Sequence, residues 1–356
     1  MSKLILENIT KRYGNITAVD NVSLEVKDGE LCVIIGPSGS GKTTLLNIIA
    51  GFVKPDKGRV LINGQNVTDV PPRERGIGMI FQEPALFSHL TVKENIAFGL
   101  EVRKLPRELI EKKVNEIAIK LRIDNILHQK ASTLSGGEAQ RVAIARALVT
   151  DPPIILFDEP LANLDANLRR EMMAELKLLH MRLKKTMIYV THDQEQALGL
   201  ADRVVVMKDG KIMQIGNPEL LYDYPNNLFV AEFFGITPMN LLSGELTEED
   251  GKILFKCGSL RIDLSNLLRS KPEQLISTKV LLAIRPEYLK LIRLSNRSYD
   301  GDGYGNVMFI ENLGSKSLIY LDIAAGVRLI ASCKKDAHFK LGERVMIKLN
   351  RDKILL

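Results

Sequence analysis

Hydrophobic spacing divides the chain into two regions of different character. Up to about residue 235, short apolar runs take turns with stretches of three-to-four spacing, the pattern of alternating strands and helices. Residues 3–10 and 22–26 read as short strands, the second by the alternation Val22-Ser23-Leu24-Glu25-Val26, with Tyr13-Gly14 in a polar loop between them. Leu31-Cys32-Val33-Ile34-Ile35 is a strand, and Arg59-Val60-Leu61-Ile62 is another, closed by an Asn63-Gly64 turn. Ile77-Gly78-Met79-Ile80-Phe81 is a strand ending in Gln82. Residues 92–148 carry a helical pattern, with Val92, Ile96 and Gly99 on one face and Leu109, Val114, Ile117 and Leu121 continuing it. Ile154-Ile155-Leu156-Phe157 is apolar without a break, as a parallel strand covered on both faces must be. A helix follows with Leu168, Met172, Leu176, Leu179 and Leu183 on one stripe, then a strand over residues 186–191 and a hairpin turning at Asp209-Gly210.

After Gly235-Ile236-Thr237-Pro238-Met239-Asn240, which reads as a linker, the helical spacing stops. Short alternating runs remain, at Leu260/Ile262/Leu264 and residues 281–284, 307–310, 317–323, 327–331 and 344–349, separated by Gly and Asp turns. That is the pattern of a small antiparallel barrel. The expectation is an α/β region over 1–235, with an inserted helical part at about 83–150, and an all-β region over 236–356.

Composition narrows the setting. A chain of 356 residues with 45% hydrophobic and 26% charged residues has the make-up of a globular protein. No apolar run reaches the roughly 18 residues of a membrane span. Met1-Ser2-Lys3-Leu4 lacks the apolar stretch of a secretory leader. Cys32, Cys257 and Cys333 are isolated in apolar settings, so they read as buried thiols of a reducing compartment; zinc would need ligand pairs. The net charge of +6 is spread along the chain, which favours a solvated surface over a nucleic-acid or lipid patch.

The chemistry centres on Gly36-Pro37-Ser38-Gly39-Ser40-Gly41-Lys42-Thr43-Thr44, between the strand at 31–35 and the apolar run Leu45-Leu46-Asn47-Ile48-Ile49-Ala50. Strand, glycine-rich loop and helix start together make a phosphate cradle, because the backbone N–H groups and the helix N-terminus face the same anion. Lys42 is placed to reach the β- and γ-phosphates of a nucleotide, and the Thr43 hydroxyl to sit on Mg²⁺. Asp158 and Glu159 follow the buried strand at its C-terminal end, the edge where open α/β sheets bind ligands. They divide the labour: Asp158 holds Mg²⁺ and Glu159 orients and polarises water. His192 ends the 186–191 strand at the same edge, where it can sense a γ-phosphate. Leu134-Ser135-Gly136-Gly137-Glu138 has the spacing of a capping box, with a helix start open to an anion. Tyr13 offers a flat ring to a purine, although such a tyrosine alone is more often a packing residue and the functional reading needs the later motifs. His89, His128, His180 and His338 show no ligand spacing.

These residues together resemble the ATP-binding subunit of an ABC transporter. Residues 36–43 match its Walker A loop, residues 154–159 its Walker B strand with the catalytic glutamate, and Leu134-Ser135-Gly136-Gly137 its signature. Gln82, residues 161–165 and His192 fall at its glutamine loop, D-loop and switch histidine, and Tyr13 at its adenine-stacking position. Two departures are minor: Glu138 and Ala139 stand where glutamines are usual, and the D-loop begins Leu161-Ala162-Asn163.

The resemblance implies a P-loop NTPase core with an inserted helical subdomain, followed by an OB-like regulatory domain. It implies ATP and Mg²⁺ as cofactors, with Thr43, Gln82 and Asp158 at the metal and Lys42, Gln82, Glu159 and His192 catalytic. It implies a head-to-tail homodimer in which residues 36–44 and Tyr13 of one subunit meet Ser135, Gly136 and Gly137 of the other across ATP. Integral-membrane permease subunits would dock near residues 82–87, a solute-binding protein would act through that permease, and a regulatory protein is a possible partner of the tail. The protein would lie peripherally on the cytoplasmic face of the membrane.

Within the family, Arg285-Pro286-Glu287 and Glu311-Asn312-Leu313-Gly314-Ser315 resemble strings of the maltose-importer type, and Pro238-Met239-Asn240 favours a sugar over polyamine, iron or oxyanion. No aromatic ladder lines the tail, which disfavours nucleic acid. Non-transport relatives in translation or DNA repair fuse two ATPase halves or insert long coiled coils, and neither is present. A nucleotide-gated regulator has no need of Glu159.

Overall fold

The structure, a computed structural model, describes residues 2–235, 237–268, 278–294, 301–324 and 326–356. The chain divides into units Met1–Val230 and Ala231–Leu356.

The first unit opens with two strands much longer than the alternation predicts. β1 (Ser2–Tyr13) and β2 (Ile16–Lys27) pair antiparallel about the Gly14 turn. Three register shifts between Leu6 and Arg12 break the two-residue period. The strands therefore continue through residues whose polarity reads as loop. Tyr13 is accordingly the last residue of β1 and not a loop residue, which corrects the sequence reading. β3 (Leu31–Ile35) and α1 (Lys42–Ala50) come next, then β4 (Lys57–Ile62), β5 (Gln65–Asn66) and β6 (Ile77–Ile80). The helical segment resolves into α2 (Val92–Val102), α3 (Arg107–Lys120) and α4 (Gly136–Leu148). β7 (Ile154–Asp158), α5 (Ala166–Leu183), β8 (Thr186–Thr191), α6 (Gln194–Leu200), β9 (Arg203–Lys208) and β10 (Lys211–Gly216) follow. α7 (Pro218–Asp223) and α8 (Leu228–Phe233) lead to the second unit.

Among the described residues these strands form a sheet of order β2-β1-β4-β5 and a larger one of order β10-β9-β3-β8-β7-β6. Within the larger sheet, neighbours from β9 through β6 run parallel, and β10 returns antiparallel. α1 supplies Leu45, Leu46, Ile48 and Ile49 to a core shared with both sheets. The parallel strands are buried along nearly their whole length, which accounts for their unbroken apolar sequences.

In the helical part the predicted stripe holds at Val114, Ile117 and Leu121, all buried, but not at its first position: Leu109 is exposed and Ile110 is buried in its place. Ile110, Val114 and Ile117 follow the i, i+4, i+7 spacing of one helix face, which Leu109 does not share.

The second unit carries the predicted all-β fold. β11 (Asn240–Glu249), β12 (Lys252–Cys257), β13 (Leu260–Asp263) and β14 (Lys279–Ile284) form a sheet of order β13-β12-β11-β14. β15 (Leu289–Arg293), β16 (Gly303–Asn312), β17 (Lys316–Ala324), β18 (Val327–Lys334) and β19 (Arg344–Leu349) form one of order β15-β19-β16-β17-β18. All pairings are antiparallel, and one core including Leu242, Phe255, Leu282, Leu321 and Ile347 joins both sheets. β11, β12 and β15 were not legible as strands. The predicted linker ends early: Asn240 begins β11, and its amide donates to Ile330 O (2.8 Å) and accepts from Ile330 N (2.6 Å), as a strand backbone would. Ile236, also read as linker, lies outside the described residues.

Cys32 and Cys257 are buried thiols, and Cys333 is half-buried. Burial pushes the Cys32 thiol up to about 12.

Candidate nucleotide site

The loop after β3 is shaped by contacts that only glycine tolerates. A Cβ on Gly36 would lie 2.2 Å from Met207 O, and one on Gly41 would lie 2.1 Å from Ala18 O. Gly41 is also left-handed, with φ 96°, and precedes α1 without any side-chain cap. The first N–H groups of α1 are thus not taken by a capping side chain. Ser40 Oγ is buried with no hydrogen-bond partner among the described residues. Gly39 faces open space, beside an open cleft of ≈ 450 Å³ that Lys42, Thr43, Thr44 and Ile16 also line. An orphan hydroxyl, an uncapped helix start and a side-chain-free wall fit a polyphosphate.

Lys42 is buried, and its ammonium donates to Gly36 O and Pro37 O, both at 3.0 Å. Burial pushes its pKa down, against the pull of Glu159 and Asp158. The ammonium is therefore held by two neutral carbonyls, within electrostatic reach of the Glu159 and Asp158 carboxylates.

The parallel register brings the remaining groups to this edge. Ile35 pairs with Thr191, and Asp158 with Val190, so β3, β7 and β8 end together. Thr43 Oγ1 lies 3.4 Å from Asp158 Oδ1, across 115 residues of chain. Burial pushes the Asp158 carboxyl up, the Thr43 hydroxyl opposes this, and Glu159 adds to it. A hydroxyl beside a half-buried carboxylate is the hard-oxygen donor set that Mg²⁺ prefers. Glu159 follows with φ 45°, an uncommon conformation for a residue with a side chain, and its N–H donates to Val190 O at 3.0 Å. Its Oε2 meets His192 Nδ1 at 2.7 Å. Gln82 is exposed, two residues beyond the end of β6, whose Ile80 pairs with Phe157. Tyr13 is half-exposed and pairs with Ile16 on the cleft wall, with Lys11 Nζ 5.6 Å from its ring centre.

Ser135 and Glu138 form the capping box that the sequence predicts. Ser135 Oγ accepts from Glu138 N (3.4 Å), and Glu138 Oε2 accepts from Ser135 N (2.9 Å). Gly137 packs close to Leu168, where a Cβ would be 3.0 Å away. Among the described residues no hydrogen bond or ion pair joins residues 135–137 to the 36–44 loop of the same chain. The capped helix start at Ser135 and the uncapped one after Gly41 are thus separate features of one chain.

Sequence reasoning missed the residues that hold the loops. Asn95, fully buried in α2, accepts from Phe87 N (2.9 Å) and donates to Phe87 O (3.1 Å). Arg146 of α4 donates to Ala85 O (2.9 Å) and Pro84 O (3.2 Å) and lies over the Phe87 ring. Leu86 and Phe87 are half-buried. Arg75 donates to Ile48 O and Ile49 O, both at 2.8 Å, at the C-terminal end of α1. The one available hint was a polar residue inside an apolar face, as at Asn95 between Val92 and Ile96.

Residues 19–162 match the ABC transporter family, and residues 282–356 match the TOBE domain. The chain is 42% identical to the trehalose/maltose import ATP-binding protein MalK of Thermococcus litoralis, covering 99% of this chain and 97% of that one. It is 39% identical to the Fe(3+) ions import ATP-binding protein FbpC of Fusobacterium nucleatum, covering 98% of this chain and 90% of that one. The solved ADP conformation of MJ1267, an ATP-binding cassette of an ABC transporter, is 33% identical with a TM-score of 0.58, covering 65% of this chain and 98% of that one.

Proposed function

The chain belongs to the ATP-binding proteins of ABC transporters, and from that premise we propose that it drives the import of a carbohydrate by hydrolysing MgATP. The observation that carries this reading is the convergence of Lys42, Thr43, Asp158, Glu159 and His192 where β3, β7 and β8 end. We assign residues 1–235 to the ATPase domain, with its helical subdomain at about 83–150, and residues 236–356 to the regulatory domain.

The chain's own groups perform distinct tasks. The N–H groups of 36–44 and the Lys42 ammonium bind the phosphates and take up the charge that grows on them. Thr43, Asp158 and Gln82 would hold Mg²⁺. Bound there, Mg²⁺ neutralises the phosphate oxygens and orients them for in-line attack. Glu159 orients the attacking water and accepts its proton; His192, in contact with Glu159, fixes that carboxylate and faces the γ-phosphate. Tyr13 stacks on the base.

Ser135, Gly136 and Gly137 complete the site of a second copy, so the working unit is a homodimer closed over ATP. The separation of residues 135–137 from the 36–44 loop of their own chain supports this arrangement. No described helix is long and apolar enough to cross a membrane. We assign the membrane passage to a separate permease, docking near residues 82–87, with a solute-binding protein acting through it, as the likeness to import ATP-binding proteins supports. The subunit then sits peripherally on the cytoplasmic face. The tail is free to receive a regulatory protein, and nucleic acid is not among the partners.

Sugar is favoured by the full-length likeness to a trehalose/maltose importer and by Pro238-Met239-Asn240. The test is to tag the chain, solubilise native membranes and identify what co-purifies. The solute-binding protein encoded or captured with the permease is then titrated with sugars, polyamines, ferric iron and oxyanions. Binding of a sugar supports the proposal. Binding of iron, a polyamine or an oxyanion replaces the solute, and recovery of soluble partners alone removes the import assignment.

A further inference from the structure

One charged side chain joins the turn after Glu159 to the residue after His192. Arg169, in the first turn of α5, donates from Nη2 to Leu164 O (2.8 Å) and from Nε to Leu161 O (3.4 Å). Its Nη1 lies 3.6 Å from Asp193 Oδ2. Both ends of this bridge are tied to the reacting pair. Ala162 N donates to Glu159 O at 3.1 Å, so the 161–165 turn is bonded to the glutamate's own backbone. Asp193 is the next residue after His192, and its Oδ1 caps α6 by accepting from Glu195 N (2.8 Å) and Gln196 N (3.2 Å).

Behind Asp193 lies a polar network that leaves it little freedom. Gln196 Nε2 donates to Asp193 Oδ2 (3.1 Å), and Gln196 Oε1 accepts from Tyr189 OH (2.7 Å) and Thr191 Oγ1 (3.1 Å). Asp193 N in turn donates to Thr191 Oγ1 (3.0 Å). The flanks of His192 are thus fixed from the core side, and Arg169 carries that rigidity to the turn that supports Glu159. A guanidinium does this because its planar fork serves two carbonyls and one carboxylate at once; an ammonium has no such shape.

We propose that Arg169 is a positioning residue for ATP hydrolysis, which holds Glu159 and His192 in register by clamping the 161–165 turn to Asp193. The proposal rests on the assignment of Glu159 and His192 to the hydrolytic step. Arg169 touches neither nucleotide nor the reacting atoms; its loss misplaces the pair without unmaking the phosphate cradle. Losses of this kind run from about ten- to a hundredfold in turnover.

The test uses the full-length protein with MgATP, measuring kcat, KM and the dissociation constant of a fluorescent ATP analogue. Arg169→Gln is expected to lower kcat at least about tenfold, with KM and nucleotide affinity within about twofold. Arg169→Lys is expected to recover part of that loss, since it keeps the charge opposite Asp193. Asp193→Asn retains the Oδ1 cap but replaces Oδ2 with an amide, which removes the charge opposite Arg169 and the acceptor of Gln196 Nε2, so it should give a kcat loss at least as large. The double variant Arg169→Gln/Asp193→Asn should be no slower than the slower single, because both break one link. Multiplying losses, an unchanged kcat, or affinity falling as far as kcat would overturn the proposal. If Arg169→Gln fails to fold, Arg169→Lys and Asp193→Asn decide it, and full turnover in Asp193→Asn refutes it. Glu159→Gln run alongside separates the two readings. Full turnover there removes the hydrolytic assignment and the clamp with it. Lost turnover there, with Arg169→Gln unimpaired, removes the clamp alone.

Discussion

His192 Nδ1 stands 2.7 Å from Glu159 Oε2, each residue one step past the end of its strand. The contact follows from the register, since Asp158 pairs with Val190 in adjacent parallel strands. It places an imidazole and a carboxylate side by side at the edge where β7 and β8 end.

Glu159→Gln is nearly isosteric and should leave ATP binding within about twofold, while turnover falls by roughly 10²–10⁴, the range for loss of a positioned general base. With hydrolysis blocked, ATP should hold two copies together, so gel filtration should show a dimer only with ATP. Wild-type turnover in this variant would remove Glu159 from the mechanism.

Asp158 trades stability for chemistry. Burial raises its folded pKa above the ordinary 3.8, so the folded state favours the neutral acid. Its contribution to stability is therefore most favourable below pH 3.8 and is lost as pH rises through the folded value. At neutral pH the ionised carboxylate works against folding. Asp158→Asn should then raise the melting temperature of the nucleotide-free protein at pH 7, and lower Mg²⁺-dependent hydrolysis by roughly a hundredfold or more. A lower melting temperature would contradict this account of the carboxylate.

Acid should loosen two helix starts. Thr91 N and its hydroxyl hold Glu94 below the ordinary 4.5, and the Ser135 hydroxyl and N–H do the same for Glu138. With depressed folded values, both carboxylates contribute stability above pH 4.5 that is lost as pH falls through those values. Glutamine keeps the capping geometry without titrating. The variant Glu94→Gln/Glu138→Gln should therefore lose less stability than wild type between about pH 5 and about pH 3, followed by thermal melts. Parallel curves would show that the boxes do not contribute.

Arg75 closes the C-terminal end of the phosphate-loop helix. Besides Ile48 and Ile49, it donates to Val70 O (2.8 Å) and Thr68 O (3.0 Å). Arg75→Met would remove the donor from all four carbonyls, of which Ile48 O keeps a bond from Gly51 N (3.2 Å), at a cost of about 3 kcal/mol read by urea unfolding. Arg75→Lys should recover little, because one ammonium cannot span all four acceptors.

The loop at 84–87 should carry the membrane partner. Phe87 stacks against Phe98 at 4.7 Å between centroids and is pinned by Asn95 and Arg146. Asn95→Ala should reduce capture of the membrane partner from native membranes while leaving the ATP affinity of the purified chain unchanged. Undiminished capture would move the docking site elsewhere.

Much of the nucleotide site was legible because its chemistry is local. The loop of residues 36–44 and the capping box at Ser135 and Glu138 each span fewer than ten residues, so their residue types stand together in the sequence, although the distant Ala18 and Met207 carbonyls fix where the loop's glycines must fall. The long strands β1 and β2 and the start of β11 were not, because bulges and a side-chain amide bonding like backbone override the hydrophobic period there.

The sequence by itself determined that a phosphate-binding loop, paired carboxylates and a strand-end histidine exist, and that an α/β region precedes an all-β one. The tertiary structure alone decided that they meet. Leu31-Cys32-Val33-Ile34-Ile35, Ile154-Ile155-Leu156-Phe157 and Thr186-Met187-Ile188-Tyr189-Val190-Thr191 are nearly interchangeable as apolar runs. Which strand lies beside which is set by backbone bonding and helix packing, and that order brings Thr43 to Asp158 and His192 to Glu159. The clamps Arg75, Asn95, Arg146 and Arg169 act mainly on backbone carbonyls and N–H groups, which every residue possesses, so no side-chain pattern marks their partners in advance.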